Sequence, residues 1–303
     1  MRFVIWIGTE QPWAEVAETA RVADSTGWDG IYVADHFMPN EQPPGLGPRL
    51  EAWTALSAIA ALTERARLGV LVSGNTYRHP AILAKMAATA DRISNGRLVL
   101  GLGAGWQVNE HDAYGIELYE IPERLARLDE ACEVVRLLLT EERSNFEGHY
   151  YRLSDAPCEP KPIQSPLPLL IGAAGERVSM RMAARWADIW NCWGTPDLIA
   201  HKKAVFEAHC EAVSRDPASV ERSTQALLRM SDDPALLERW RGQGRGMPSL
   251  IGTPAEIGEH FGEYERLGID EFVVVDRALG SELSRRLDNM AQLLEEVAAP
   301  YRS

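Results

Sequence analysis

The chain has 303 residues, 46% hydrophobic and 25% charged, the balance of a folded globular protein, which excludes wholesale disorder. Its 44 acidic residues outnumber 31 basic ones, a net charge of −13, and so acidic a surface repels phosphate backbones: nucleic acid is not expected as a partner. The longest charge-free stretch, residues 162–175, is interrupted by Pro166 and Pro168 and falls short of the ~20 apolar residues of a membrane span; the apolar run at 3–8 lacks the basic region and cleavage site of a secretory leader, so the expectation is a soluble, cytoplasmic protein that does not engage membranes.

In chain order, short apolar or β-branched runs alternate with longer helical patterns. Strands are expected to begin near Phe3, Asp29, Arg67, Arg97, Pro168, Asp188, Ser223 and Asp270. Helices are expected over 12–26, 51–64, 80–93, 122–140, 176–186, 196–214, 232–241 with 254–267, and 281–298. Nearly continuous apolar strands imply a parallel sheet covered on both faces, either closed or doubly wound. The closed form, an α/β eight-stranded parallel (β/α)8 TIM barrel in one domain over 1–303, is expected for two reasons. A turn motif recurs before strands, as Gly27-Trp28-Asp29, Trp186-Ala187-Asp188 and Gly268-Ile269-Asp270. No G-x-G-x-x-G follows the first strand, and the glycine run at 101–105 leads into Trp106 rather than a helix start. Residues 141–167, after the fourth strand and its helix, read as an insertion with a small hairpin; 38–50 and 242–253 read as long loops of the kind that carry lids or binding residues. Helix 51–64 is apolar on nearly every face, so it and its neighbour at 80–93 are expected to form a homodimer interface.

A β/α barrel carries its active site where the strands end at their C-termini. Here those ends supply few acids, one histidine (His36, beside Asp35) and several aromatic or glycine positions. There is no His-x-His, and Cys132, Cys158, Cys192 and Cys210 lie far apart without zinc-ligand spacing, so reduced thiols and no metal are expected. None of the four lysines falls in a strand, as a Schiff-base aldolase requires. Two opposed glycosidase carboxylates remain open, since Asp35 has candidate partners in Glu10, Glu110 and Asp276. What otherwise remains is a mouth suited to a large planar cofactor that carries the chemistry itself.

Four segments, Tyr32-Val33-Ala34-Asp35-His36-Phe37, 73–80, 96–106 and 168–172, resemble the luciferase-like monooxygenase superfamily, and 71–115 with 168–194 are most similar to its branch that depends on the deazaflavin coenzyme F-420. The resemblance runs over essentially the whole chain and implies a β/α barrel, often dimeric, binding coenzyme F-420 (an 8-hydroxy-5-deazaflavin) or, as the alternative, FMN. It implies that His36 faces the tricyclic ring as a proton-exchanging catalytic group, a role suited to an imidazole, with Asp35 orienting it or touching the cofactor. It implies a non-proline cis peptide among residues 70–72, with Leu71 and Val72 against the ring, and polar cofactor contacts from Ser73 and Asn109. The cofactor phosphate would meet Ala173, Ala174 and Gly175 before a helix starting at Glu176, where bare amides attract an anion; Glu176 itself fits poorly there, and Arg177 would compensate. Trp106 stands where the sugar-phosphate dehydrogenase of this superfamily has an acidic glutamate, so Trp106 and Trp193 are expected to line a pocket for an apolar or aromatic small-molecule substrate. Three functions follow as expectations: an F-420-dependent oxidoreductase, an oxygen-using FMN monooxygenase, or a cofactor-binding protein without turnover.

Overall fold

Eight parallel strands separated by helical chain close into a barrel in the computed structural model, which describes residues 1–41, 45–243 and 246–302. Residues 42–44 and 244–245, inside the two long loops expected from sequence, lie outside the described residues. The first half of the chain runs β1 (Arg2–Ile7), α1 (Trp13–Thr26), β2 (Gly30–Val33), α2 (Ala52–Leu62), β3 (Arg67–Val70), β4 (Ser73–Gly74), α3 (Pro80–Ile93), β5 (Leu98–Gly103), α4 (Val108–Tyr114) and α5 (Ile121–Thr140). A two-stranded hairpin, β6 (Ser144–Glu147) and β7 (Arg152–Ala156), occupies the expected insertion. Then come β8 (Leu169–Gly172), α6 (Ser179–Trp186), β9 (Ile189–Trp193), α7 (Pro196–Ala212), β10 (Glu221–Gln225), β11 (Leu227–Met230), α8 (Pro234–Arg241), β12 (Ser249–Gly252), α9 (Pro254–Arg266), β13 (Glu271–Val275) and α10 (Leu283–Gln292). Strand order β3-β2-β1-β13-β10-β9-β8-β5, with β3 pairing back onto β5, makes the closure.

Alternation along the strands sorts the side chains. Phe3, Ile5 and Ile7 of β1 join the large core between strands and helices, whereas Val4 packs with Tyr32, Val99, Leu170, Ile189 and Val273 in a separate cluster inside the barrel. Near the strand starts the interior is ionic: Glu221 accepts from Arg2 at 2.5 Å and from Arg67 at 3.0 Å. Buried Glu271 accepts from Ser223 at 2.9 Å and from Tyr32 at 3.2 Å. The recurring turn motif is structural. Asp29, Asp188 and Asp270 each accept the backbone N–H that opens a neighbouring strand or its second residue, from Phe3, Leu169 and Arg222 at 2.7–2.9 Å. Gly27 and Gly268 supply the left-handed turn, with φ of +99° and +73°.

Three local expectations are corrected. The helix expected from Glu176 starts at Ser179, because residues 176–178 form turns held by the Ser179 hydroxyl against Gly175. The glycine run at 101–105 does lead to a helix, the seven-residue α4, too short to show a periodic pattern. The loop expected at 242–253 contains β12, four residues that pair in parallel with β11.

Candidate active site

A cavity of about 350 Å³ opens at the C-terminal ends of the barrel strands. One wall is backbone and small side chains: Leu71 and Val72 after β3, Gly74, and Gly172-Ala173-Ala174 after β8. The Leu71–Val72 peptide is cis, within the range expected from sequence. Glycine is required behind this wall. A Cβ on Gly101 would come to 2.0 Å from the Val70 carbonyl, and one on Gly103 to 2.6 Å from Val72 Cγ2. Opposite stand aromatic side chains: Trp6 and Trp193, ring centroids 5.8 Å apart, and Trp106, set edge-on to His36 at 5.3 Å and 57% exposed. Asn191 and Gln225, bonded to each other at 2.7 and 3.1 Å, add polar amides, and Met247 closes one side. Among the described residues no lysine or arginine lines this cavity.

His36 lines the cavity, and its Nδ1 lies 2.8 Å from Oε1 of the fully buried Glu110. Glu110 also accepts the Phe37 N–H at 2.8 Å and the Tyr77 hydroxyl. Burial pushes the Glu110 carboxyl up, but hydrogen bonds from His36, Tyr77 and the Phe37 amide outweigh it and hold the group below its usual range. Burial, then the bond to Glu110, pushes the Tyr77 phenol up, so Tyr77 is the donor of that pair. Facing a carboxylate, His36 Nδ1 carries the proton, and Nε2, with no hydrogen bond to any described residue, is left for the cavity. Glu110 is positioned by α4, whose Asn109 side chain donates to the Pro39 and Glu41 carbonyls at 2.8 and 3.1 Å. Gln107 ties the same helix to Met38 at 3.0 Å.

The structure therefore separates residues that the sequence grouped. Asp35 lines the cavity but does not orient His36: it forms a two-pronged ion pair with Arg78 at 2.6 and 3.0 Å, and Arg78 reaches on to Glu51 at 2.6 Å. Burial pushes the Asp35 carboxyl up despite the Arg78 bonds. Ser73 is fully buried behind the wall, accepting the Trp53 indole N–H at 2.9 Å, and Asn109 is spent on the 38–41 loop, so neither lines the cavity. Ala173 and Ala174 do line it, whereas Gly175 turns away. Glu176 faces α7, where Lys202 at 2.6 Å and His201 at 3.0 Å hold its carboxyl below the usual range. In the sequence Glu110 stands out only as one possible glycosidase partner of Asp35, and Tyr77 and Trp6 carry no signal as cavity residues. The pairing of His36 with a residue 74 positions away leaves no local signal.

The sequence profile of the luciferase-like monooxygenase family matches residues 1–247. The chain belongs to that family. Among curated members it is 34% identical over 225 residues to an F-420-dependent glucose-6-phosphate dehydrogenase of Kineococcus radiotolerans, covering 73% of this chain and 65% of that protein. It is 38% identical over 176 residues to one of Nakamurella multipartita, covering 58% of this chain and 50% of that protein. The matches thus span about two thirds or less of those relatives' length. Among solved structures, an F-420-dependent secondary alcohol dehydrogenase with an F-420–acetone adduct superposes at TM-score 0.84 with 20% identity over 100% of both chains. A coenzyme F-420-dependent tetrahydromethanopterin reductase from Methanopyrus kandleri does so at 0.82 with 18% identity over 99% of both. A monooxygenase from Streptomyces bottropensis follows at 0.82 with 22% identity over 100% of both. These likenesses establish the barrel fold.

Proposed function

We propose that the protein is an oxidoreductase that moves hydride between coenzyme F-420 and an uncharged organic substrate. The observation that carries this reading is an imidazole clamped by a buried carboxylate at the edge of a cavity with one glycine-backed wall of small residues. The wall fits a planar tricycle: every side chain along Gly172-Ala173-Ala174 is small, and Leu71 and Val72 line the same space. Leu71 and Val72 would back the ring, and Ala173 and Ala174, with Gly175 behind them, would meet the phosphate. Ser73 and Asn109 would act on the cofactor indirectly, by fixing the wall and the 38–41 loop. The bound coenzyme supplies the carbon that gives or takes hydride.

The chain's own part is proton handling and exclusion of water. His36 exchanges a proton at Nε2 with the substrate oxygen while Glu110 stabilises the imidazolium through Nδ1–H. Asp35 is held by Arg78, which it shares with Glu51. Trp106, Trp193 and Trp6 receive the apolar body of the substrate. Relatives named glucose-6-phosphate dehydrogenases support the cofactor and the reaction class. A sugar phosphate suits this cavity poorly, since no lysine or arginine among the described residues lines it and Trp106 cannot act as an acid.

A second reading, an FMN-dependent monooxygenase, draws on the family itself, described as luciferase-like monooxygenases. Intrinsic tryptophan quenching titrated with F-420 and with FMN separates the two: tighter F-420 binding is expected, and tighter FMN binding would replace the first reading with the second. Binding of F-420 without conversion of any alcohol or ketone would leave a cofactor-binding protein.

We further infer one barrel domain over 1–303 with residues 141–167 inserted, a cytoplasmic setting and a homodimer. α2 carries no charged residue, and α3 exposes Ile82 (58%) and Ile93 (44%) beside it, an apolar face that a second copy would cover. A dimeric mass by light scattering is expected at micromolar concentration, and a monomeric mass would refute the interface.

A further inference from the structure

Past Ala174 the chain turns into α6, and a second cleft of about 490 Å³ opens between this turn, α6 and the first half of α5. Its floor is apolar, with Leu125 and Met182 below and Ile121 and Val178 exposed at 60% and 53%. Arg177, Arg181 and Arg185 stand along it at a spacing of four, which stacks the last two on one face of α6. The acid among its lining residues, Asp129, is committed to Arg185 at 2.9 Å and to the Trp186 indole N–H at 2.7 Å. Arg177 and Arg181 make no hydrogen bond or ion pair with any described residue. Two uncommitted guanidinium groups over an exposed apolar floor, on a chain of net charge −13, are a local inversion of the surface that the proton chemistry of the barrel mouth does not use.

We propose that this cleft binds the oligocarboxylate tail of the coenzyme. The inference rests on the F-420 reading above. Beyond its phosphate the deazaflavin coenzyme continues into a chain of linked glutamates, whereas FMN stops at the phosphate. Arg177 lies three residues past Ala174, at most ~11 Å along the chain from the wall assigned to the phosphate, so a tail of a few residues spans the gap. Guanidinium groups pair with successive carboxylates in the two-pronged manner, and the methylenes between them lie over Ile121 and Val178. Both arginines are exposed, so the pairing is modest and sensitive to salt.

The test compares two ligands by tryptophan quenching: F-420 with several glutamates, and its fragment ending at the phospholactyl group. At low salt the long-tailed form is expected to bind ~10-fold tighter, and added salt to shrink that advantage. Arg177→Ala with Arg181→Ala should abolish the difference while leaving the tail-less fragment bound as before; Arg181→Lys alone should retain most of it. Equal affinity of the two forms for the native protein would overturn the proposal, as would a double variant that weakens both forms alike, because the arginines would then serve the phosphate. Failure of both forms to bind while FMN binds would overturn the F-420 reading itself, and this inference with it.

Discussion

Replacing Glu110 by glutamine tests whether the buried carboxylate works through His36. In the native site one oxygen takes His36 Nδ1–H at 2.8 Å together with the Tyr77 hydroxyl, and the other takes the Phe37 N–H at 2.8 Å. An amide offers one accepting oxygen. Turned one way, its NH2 group meets the Phe37 N–H; turned the other, it meets His36 and forces the imidazole into the opposite tautomer. A buried unpaired donor costs about 1–3 kcal/mol. With an unfolding entropy of ~2.1 cal/mol/K per residue, this length gives about 0.6 kcal/mol/K, so the melting temperature should fall by ~2–5 °C. Losing the charge-assisted bond to the imidazole, about 1.5–3 kcal/mol, should slow turnover by ~10- to 150-fold. KM should hardly change, because Glu110 does not line the cavity. The assay follows deazaflavin absorbance during turnover with a panel of uncharged alcohols and ketones, for the native protein, E110Q, H36A and the double variant. H36A alone should be ~100-fold slower. If Glu110 acts by way of His36, the double variant is no slower than H36A. A double variant slowed by the product of the two single effects would refute the reasoning.

Arg78→Met should strand the Asp35 carboxylate and destabilise the protein by ~3–5 kcal/mol near neutral pH. Burial already raises the folded-state pKa of Asp35 above its ordinary 3.8, and removing Arg78 raises it further. The folded variant therefore binds the proton more tightly than its unfolded chain, so its stability deficit should shrink as pH falls through the raised value toward 3.8; a deficit independent of pH, by thermal melts, would contradict this. Gly101→Ala places a methyl 2.0 Å from the Val70 carbonyl and should cost ~1–3 kcal/mol or more; an unchanged melting temperature would show that the wall yields freely. Burial pushes the cavity-lining Cys192 thiol up to about 11 from 9.0, leaving ~100-fold less thiolate than an ordinary cysteine at the same pH. Its alkylation should be correspondingly slow and slower still with cofactor bound; rapid labelling located at Cys192 by mass spectrometry would refute both.

The barrel was legible because its strands are apolar on both faces and its helices mostly carry proline or glycine at their ends, as at Pro80, Pro196, Pro254, Gly27 and Gly268. His36 and the two short stretches of the wall, 71–74 and 172–174, were legible through segments that resemble the family. The partner of the histidine was not. Glu110 lies on a seven-residue helix after a glycine run, and its pairing is decided by how the chain leaves β2 and β5, the two strands that flank β3, at the barrel mouth. Ser73 and Asn109 show the converse: polar residues beside a cavity in sequence can be consumed by Trp53 and by the 38–41 backbone. Parallel pairing of β11 with β12 went unread because four residues carry too little pattern.

The two halves of the barrel mouth are built from different material. On the β3, β5 and β8 side the wall is Leu71, Val72 and the small residues 172–174, backed by Gly101 and Gly103, where an added Cβ would come to 2.0 and 2.6 Å of Val70 and Val72. On the β1, β9 and β10 side it is the side chains of Trp6, Asn191, Trp193 and Gln225. A library that varies the shape of this cavity therefore has the aromatic and amide half of the rim to work with, while Gly101 and Gly103 hold the other half to its present close approach.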